Sequence, residues 1–261
     1  MAVGSRAFWL PRRGNNPDEY EDAFAVEDAS GRYALADGAS EGCFTGLWAR
    51  LLVEDFVSGA EGNVSRWLSS LPTVQERWDK DVGARKLDWD ADYWVERGAF
   101  AAFLGLVLTD FPLSLGEGPA VRASYRWQAV AIGDTCLFHT RHSVLLGAFP
   151  LARSDQFGNR PQLVGSRMPT AAVSRRQCLW SDGCGQSGDR LWAMTDALAK
   201  WCLTEAEAGG DPWRELESAI LPSPSGRGAG GEGDSFTPWI ESLRDSGRLL
   251  NADVTLLAIP L

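Results

Sequence analysis

Acidic residues lie beside strand-like runs at widely separated points of this 261-residue chain. They are Glu21-Asp22, Asp37-Gly38, Gly133-Asp134, Asp182-Gly183 and Asp253. Taken singly, an Asp-Gly pair is a common turn, because Asp bonds to its own backbone and Gly accepts a positive φ. Taken together, they limit the chain to folds in which several strand ends meet at one rim. Such a rim supplies the all-oxygen ligands that Mg²⁺ and Mn²⁺ require.

Short strands and a few longer helices alternate irregularly along the chain. Hydrophobic periodicity predicts strands over 24–28, 32–36, 124–132, 136–140, 177–180 and 253–259. It predicts helices over 44–56, from Val64 to an interruption at Pro72, over 90–108 and over 191–203. Hairpins without regular strand–helix–strand alternation indicate an α+β fold instead of a doubly wound parallel sheet.

The length and composition predict one domain over 1–261, because 44% hydrophobic residues can fill one large core. The stretch 221–237 consists mainly of Pro, Ser, Gly and Glu, so we expect a mobile loop there. A net charge of −10 without a basic patch argues against nucleic acid as a partner. No membrane-length apolar run or signal-peptide core is evident, which predicts no membrane partner and a cytoplasmic location.

The five cysteines form no Cys-x-x-Cys pair, so free thiols are expected instead of a disulfide framework or a zinc site. The two histidines, His139 and His142, are three residues apart and fall on opposite sides of a predicted strand. A shared metal is therefore not expected at these histidines. A serine or cysteine triad would have to use one of the same two residues.

The ordered strings EDAFAV, ALADGAS, VAIGDTCLF, LWSDGCG and ADVTLLAI resemble the motifs of the metal-dependent serine/threonine phosphatases of type 2C, especially the bacterial members. The resemblance extends from Trp9 to Ile259. It implies a four-layer αββα sandwich in which two antiparallel sheets are flanked by helices. It also implies hydrolysis of phosphoserine or phosphothreonine by a water that two or three Mn²⁺ or Mg²⁺ ions activate. The expected partner is a phosphoprotein, with the enzyme opposing a serine/threonine kinase.

The resemblance assigns a role to each acidic position. Asp37 matches the carboxylate that bridges two ions, and the carbonyl of Gly38 joins the second ion. Glu21 matches the residue that holds this second ion, partly through water. Asp182 matches the aspartate of the first ion, and Asp134 that of a third, weaker site. Asp37 and Asp182 are thus the expected catalytic carboxylates.

The last motif departs from the family pattern. The family places an aspartate ligand of the first ion where this chain has Ala252. Three alternatives follow: Asp253 takes the position by a local shift, Asn251 contributes its amide oxygen, or the ion has one protein ligand fewer. Asp253 is retained as an expected metal ligand.

Two further positions also differ. Many family members have, four residues before the acidic pair, an arginine that binds the substrate phosphate, and here that residue is Pro17. Arg12 or Arg13 can replace it if the following loop folds back, since a guanidinium group suits phosphate. A position that adds a third-site ligand in the family is Gln186.

Two alternative functions remain open at this point. Loss of the ligand at Ala252 favours a weak or inactive pseudo-phosphatase that acts as a binding or regulatory module, because carboxylates supply most of the attraction for hard cations. A phosphatase that acts on a small metabolite differs only in its substrate. The leading prediction is a protein phosphatase.

Overall fold

The computed structural model describes residues 4–39, 42–59, 67–85, 95–111, 124–168, 177–220 and 235–261. The strands are β1 Arg6–Leu10, β2 Ala23–Glu27, β3 Arg32–Gly38, β4 Phe100–Phe111, β5 Ser124–Ile132, β6 Cys136–Arg141, β7 Val144–Phe149, β8 Val164–Gly165, β9 Leu179–Gln186, β10 Asp189–Met194 and β11 Val254–Pro260. The helices are α1 Thr45–Ser58, α2 Trp67–Gly83, α3 Asp196–Glu207, α4 Pro212–Ala219 and α5 Phe236–Asp245, with short 3-10 turns at Pro17–Glu19 and Ser154–Gln156.

The strands form two antiparallel sheets. The first sheet has the order β2-β3-β4-β5-β9 with β8 paired to β4, and the second sheet has the order β1-β11-β10-β6-β7. Alternate residues of a strand point to opposite faces of its sheet, so each sheet here buries both faces. In β3, Tyr33 and Leu35 face the other sheet, whereas Ala34 and Ala36 pack against α1 and α2.

The second sheet is covered in the same way on its outer face. Phe8, Trp192 and Leu256 pack with residues of α3 and α5, such as Leu198 and Ile240. Hydrophobic residues thus form three buried layers: helix against sheet, sheet against sheet, and sheet against helix. The predicted four-layer αββα sandwich is confirmed.

The predicted helix over 90–108 is wrong over its second half, although residues 95–97 are helical. Residues 100–108 belong to β4, a strand of 12 residues, and residues 90–94 lie outside the described part. Leu104 and Leu106 face the other sheet, whereas Phe103 and Val107 face the helices. A strand buried on both faces has no polar alternation, and its continuous apolar run can be mistaken for a buried helix.

Two other predicted boundaries are also wrong. The segment 191–203 is a strand up to Met194, and α3 begins only at Asp196. The strand predicted over 177–180 instead runs from Leu179 to Gln186, so Asp182 lies within a strand and not in a turn.

The other two helix predictions agree more closely with the structure. Helix α1 matches the prediction over 44–56. In the described residues, the helix expected from Val64 begins at Trp67 and continues through Pro72 to Gly83, so the predicted interruption is wrong. Most of the predicted loop, 221–234, lies outside the described residues, and α5 begins at Phe236. In the described part of the chain, no helix has the length and apolarity needed to cross a membrane.

Candidate metal centre

Two aspartates of the first sheet meet at one edge of the sandwich. Asp37 lies near the end of β3, in the same pleat orientation as Leu35, so it faces the other sheet. Asp22 immediately precedes β2, whose first residue, Ala23, pairs with Ala36. The two carboxyl groups are close enough to share a hydrogen bond.

The turn between β5 and β6, where the chain crosses from one sheet to the other, brings a third aspartate, Asp134, to this edge. It follows Gly133, which has a φ of +98°. A Cβ atom at Gly133 would lie 2.6 Å from the Cβ of Ala102 and 2.7 Å from the carbonyl oxygen of Gln162. Only glycine fits this tight reversal, which places Asp134 at the edge of the sandwich.

A fourth aspartate comes from the second sheet. Asp196 opens α3, directly after β10, and Thr195 fixes this junction to β11. The Thr195 N–H donates to the carbonyl of Thr255 at 3.2 Å. The Thr255 N–H donates in return to Oγ1 of Thr195 at 3.0 Å. We call Asp22, Asp37, Asp134 and Asp196 the acidic rim.

Burial raises the pKa values of all four carboxyl groups in the acidic rim, and repulsion by neighbouring carboxylates raises those of Asp22, Asp37 and Asp134 further. Burial is the main cause at Asp37, and the charges of Asp22, Asp196 and Asp134 raise its pKa further. Burial also raises the pKa of Asp22, with a further contribution from the charge of Asp253. Burial and the nearby Asp196 raise the pKa of Asp134 to about 6. Burial raises the pKa of Asp196 as well, although the Ala197 N–H and Lys200 oppose the shift.

The carboxylate oxygens of the acidic rim are suitable ligands for a divalent cation. All of the donors are oxygen atoms, and Oδ1 of Asp22 is buried without a hydrogen-bond partner among the described residues. In the described part of the chain, however, no three His, Cys, Asp or Glu side chains are arranged to hold an ion without moving. The donor set still fits a cation, because four carboxyl groups gathered at one edge, two of them buried, are costly unless positive charge compensates them.

Glu21 and Gly38 lie beside the acidic rim, as the sequence predicts. Oε1 of Glu21 accepts a hydrogen bond of 2.6 Å from Oγ1 of Thr45 at the start of α1. Gly38 is packed so tightly that a Cβ atom there would lie 2.6 Å from the carbonyl oxygen of Glu21. Glycine is therefore required where β3 passes the N-terminal loop. That the Gly38 carbonyl and the Glu21 carboxylate bind an ion stays a prediction.

Asp253 also lies at this edge, but both of its carboxylate oxygens bind backbone. Oδ1 accepts from the Arg12 N–H at 2.7 Å, and Oδ2 accepts from the Glu21 N–H at 2.8 Å. Oδ1 of Asn251 likewise accepts from the Arg13 N–H at 2.6 Å. Asp253 and Asn251 thus fasten the N-terminal loop to the start of β11.

The two candidate phosphate-binding arginines differ in their surroundings. The guanidinium group of Arg13 pairs with Glu241 and, at 2.8 Å, with Asp245 on α5, and these contacts raise its pKa. The side chain of Arg12 is exposed and makes no hydrogen bond or ion pair within the described residues. It lines a groove of about 780 Å³ that also includes Glu21 and Asp22. Of the two, Arg12 is available for an anionic ligand.

The prediction that Asp182 belongs to this rim is wrong. Asp182 pairs with Gln128 in β5, four residues before the strand ends at Ile132. At about 3.4 Å per residue, this position is roughly 14 Å from the rim. Its neighbour Gly183 contacts Trp127 in the layer between the sheets, so Asp182 points to the opposite face. Gln186 is also distant, and its N–H donates to Asp189 at 3.0 Å.

Two residues of the acidic rim, Asp22 and Asp196, were not predicted as site residues from the sequence. The string LWAMTDALAKW contains a buried strand, a Thr-Asp pair and the first turns of a helix. The strings around Asp182 and Asp196 both place an aspartate after Leu-Trp. The distinguishing signal is the helix that follows Asp196 directly, because it requires the strand to end there.

Comparison with solved structures assigns the fold. The serine/threonine phosphatase PstP/Ppp of Mycobacterium tuberculosis is 16% identical, with 99% of each chain covered and a TM-score of 0.55. The catalytic domain of PstP in complex with two manganese ions is 13% identical, with 98% of this chain and 97% of that chain covered and a TM-score of 0.57. The chain has the fold of the type 2C phosphatases.

A third similar structure comes from a regulatory system. PppA, described as a key regulatory component of T6SS in Pseudomonas aeruginosa, is 16% identical over 99% of this chain and 98% of that chain, with a TM-score of 0.51. No protein-family model matches the chain, and no curated protein matches it significantly. At these identities the similarity establishes the type 2C fold, and the activity must be argued from the site.

Proposed function

We propose that this protein is a metal-dependent phosphatase that hydrolyses phosphoserine or phosphothreonine in a phosphoprotein. The observation that carries the proposal is the acidic rim, where both sheets contribute carboxyl groups: Asp22 and Asp134 are buried, and Asp37 and Asp196 are half-buried. The rim occurs on the fold of a phosphatase whose structure contains two manganese ions. Buried carboxylates with raised pKa values in a groove are typical of functional sites.

The charge of the rim explains why a cation is needed. Phosphate is an anion, and bare carboxylates repel it. Bound Mn²⁺ or Mg²⁺ ions would reverse this charge, lower the pKa of a water and neutralise charge in the transition state. Asp37 and Asp196, which reach the rim from opposite sheets, are the proposed principal ligands. Glu21, Asp134 and the Gly38 carbonyl are the proposed supporting ligands.

The N-terminal loop supplies the proposed phosphate-binding group. Asp253 binds the backbone N–H groups of both Arg12 and Glu21. It therefore sets the position of the Arg12 guanidinium group relative to the Glu21 carboxylate, which lies beside the acidic rim. Arg12 has no competing carboxylate within the described residues, whereas Arg13 is held by Glu241. The proposal therefore assigns phosphate binding to Arg12. An opposing serine/threonine kinase follows from the proposed substrate.

A pseudo-phosphatase is the second candidate. One specific observation favours it: both oxygens of Asp253 are engaged by backbone N–H groups, and Ala252 adds no donor. With fewer anionic ligands, a hard-cation site is weaker. In that case the sandwich would serve as a binding or regulatory module.

Hydrolysis of p-nitrophenyl phosphate with and without Mn²⁺ tests the proposal. We expect activity that requires Mn²⁺, is abolished by EDTA and falls by at least about 100-fold in Asp37→Asn and Asp196→Asn. Asp182→Asn is the matched control and should retain activity. Chelator-resistant activity would contradict the metal mechanism, and no activity at millimolar Mn²⁺ with a folded protein would favour the pseudo-phosphatase.

A further inference from the structure

The groove beside the acidic rim is larger than a phosphate group requires. Its volume of about 780 Å³ lies within the range of roughly 300–1,000 Å³ that is typical of pockets for whole ligands. It is lined by Glu21 and Asp22 at the rim, by Arg12 from the N-terminal loop, and by Arg50 and Arg85 from the helical layer. The groove therefore has space for residues that flank a phosphorylated side chain.

Its three arginines have no anionic partner among the described residues. The exposed guanidinium groups of Arg12, Arg50 and Arg85 make no hydrogen bond or ion pair there. Many other arginines of the chain do form ion pairs, namely Arg13, Arg77, Arg141, Arg153, Arg167, Arg244 and Arg248. In a chain with a net charge of −10, three cations in one groove are available for an anionic ligand.

Arg85 is held in place by an aromatic ring of the groove. Its guanidinium carbon lies 4.9 Å from the centroid of Phe44, a distance that permits a cation–π interaction. Phe44 adopts a left-handed backbone with a φ of 58°, which is unfavourable for a bulky side chain. Its carbonyl accepts hydrogen bonds from the Trp48 N–H at 3.1 Å and from Nε1 of Trp78 at 3.5 Å. These contacts keep Phe44, and with it Arg85, in position.

The charges on the two walls of the groove differ in sign. Arg50 on α1 and Arg85 after α2 form a basic wall, whereas Asp18 and Glu19 lie on the 3-10 turn of the N-terminal loop. An acidic ligand residue is attracted to the helical wall and repelled by this turn. A basic ligand residue has the opposite preference. The walls therefore orient a peptide as well as attract it.

We propose that Arg50 and Arg85 form a specificity subsite for acidic residues next to the phosphorylated side chain of a protein substrate. The catalytic part of this inference rests on the proposed phosphatase function, whereas peptide binding can be measured without hydrolysis. The occupant is an extended phosphopeptide segment with Asp or Glu beside the phosphorylated residue. Its phosphate lies at the acidic rim, and its acidic residue lies against the helical wall.

Three phosphothreonine peptides of equal length test the subsite, with flanking Glu, Gln or Lys residues. In the presence of Mn²⁺ we expect kcat/KM for the Glu peptide to exceed that for the Lys peptide by about 10-fold, and the ratio to shrink in high salt. Arg50→Ala and Arg85→Ala should each lower the ratio by about two- to five-fold. Arg50→Glu should reverse the preference toward the Lys peptide.

Arg77→Ala is the matched control. Arg77 lies on α2 outside the groove and faces Glu54 at 3.6 Å, so its loss should leave the Glu-to-Lys ratio unchanged. A reversal of preference in Arg50→Glu cannot arise from partial unfolding, because unfolding lowers the rates for both peptides together. An equal ratio in the wild type and in Arg50→Glu would overturn the subsite.

Fluorescence anisotropy of the same labelled peptides separates this inference from the proposed activity. If p-nitrophenyl phosphate is not hydrolysed, tighter binding of the Glu peptide that is lost in Arg50→Glu still supports the subsite, while the phosphatase proposal fails. If p-nitrophenyl phosphate is hydrolysed but the three peptides bind and react alike, the subsite is overturned and the phosphatase proposal stands.

Discussion

Oδ2 of Asp253 accepts a hydrogen bond of 2.8 Å from the backbone N–H of Glu21. The other carboxylate oxygen accepts from the Arg12 N–H, so one side chain positions both ends of the loop that borders the groove. A carboxylate that binds two N–H groups contributes more than a neutral acceptor does. We therefore expect Asp253 to act on the site mainly by positioning the loop.

We predict that Asp253→Ala lowers the free energy of unfolding by about 1–3 kcal/mol, since hydrogen bonds to charged groups contribute on this scale. It should also raise KM for p-nitrophenyl phosphate more than it lowers kcat, because Arg12 loses its position. Urea unfolding and steady-state kinetics measure both effects. A loss of Mn²⁺ affinity as large as that in Asp37→Asn would show that Asp253 is a ligand after all.

Ala252→Asp tests the position at which the family has an aspartate ligand and this chain has alanine. Ala252 lies two residues before β11 and packs, partly buried, against the core that contains Leu256. Its carbonyl accepts a hydrogen bond of 2.6 Å from Arg244. We therefore expect no more than about a twofold change in Mn²⁺ affinity by calorimetry, together with lower stability from a buried carboxylate. A clear gain in Mn²⁺ affinity and activity would restore the family's arrangement of ligands.

A buried charge cluster far from the rim predicts a stability change in acid. Burial alone would raise the pKa of Asp189, but bonds from Arg141, the Gln186 N–H and His139 outweigh it and lower the pKa to about 2. Arg141 donates at 2.6 Å and 2.9 Å, and His139 lies at 2.9 Å. Because the folded pKa is depressed, this stabilisation is complete above the ordinary pKa of about 4 and is lost as the pH falls toward 2.

Asp189→Asn should therefore cost about 2 kcal/mol at pH 7 and much less at pH 2. Urea unfolding at pH 2, 3, 4 and 7 checks this, with Asp155→Asn at an exposed pair with Arg153 as the control. Equal destabilisation of Asp189→Asn at pH 2 and pH 7 would argue that the residue acts through packing and not through its charge.

Mn²⁺ binding should depend on pH, because protons and metal ions compete for the same carboxylates. The pKa of Asp134 is about 6, and those of Asp22 and Asp37 are raised by burial. We expect the affinity for Mn²⁺ to increase by at least about 10-fold from pH 6 to pH 8. Asp134→Asn should weaken this dependence. Calorimetry at several pH values measures the Mn²⁺ affinity. A pH-independent affinity would show that the ion does not bind to these carboxyl groups.

The sequence identifies those site residues whose position is set by local structure. Asp37 lies at the end of a strand, Asp134 follows a strand and a tight turn, and Gly133 can be recognised as the required turn residue. Asp182 and Asp196 could not be separated in this way, because both follow an apolar run. Which of the two aspartates reaches the rim depends on where its strand ends. For Asp182, the register of β9 against β5 fixes this position, and β5 is distant in the sequence. The role of Asp253 in holding the loop could not be predicted, because its partners, Arg12 and Glu21, are more than 200 residues away in the sequence.

The central claim is that Asp37 and Asp196, from opposite sheets, hold a divalent cation. Calorimetric titration with Mn²⁺ at pH 8 tests it most directly in the wild type, Asp37→Asn, Asp196→Asn and Asp182→Asn. We predict binding in the wild type and in Asp182→Asn, and a loss of at least about 100-fold in affinity in the two rim variants. Unchanged Mn²⁺ binding in Asp196→Asn, or its loss in Asp182→Asn, would contradict the account.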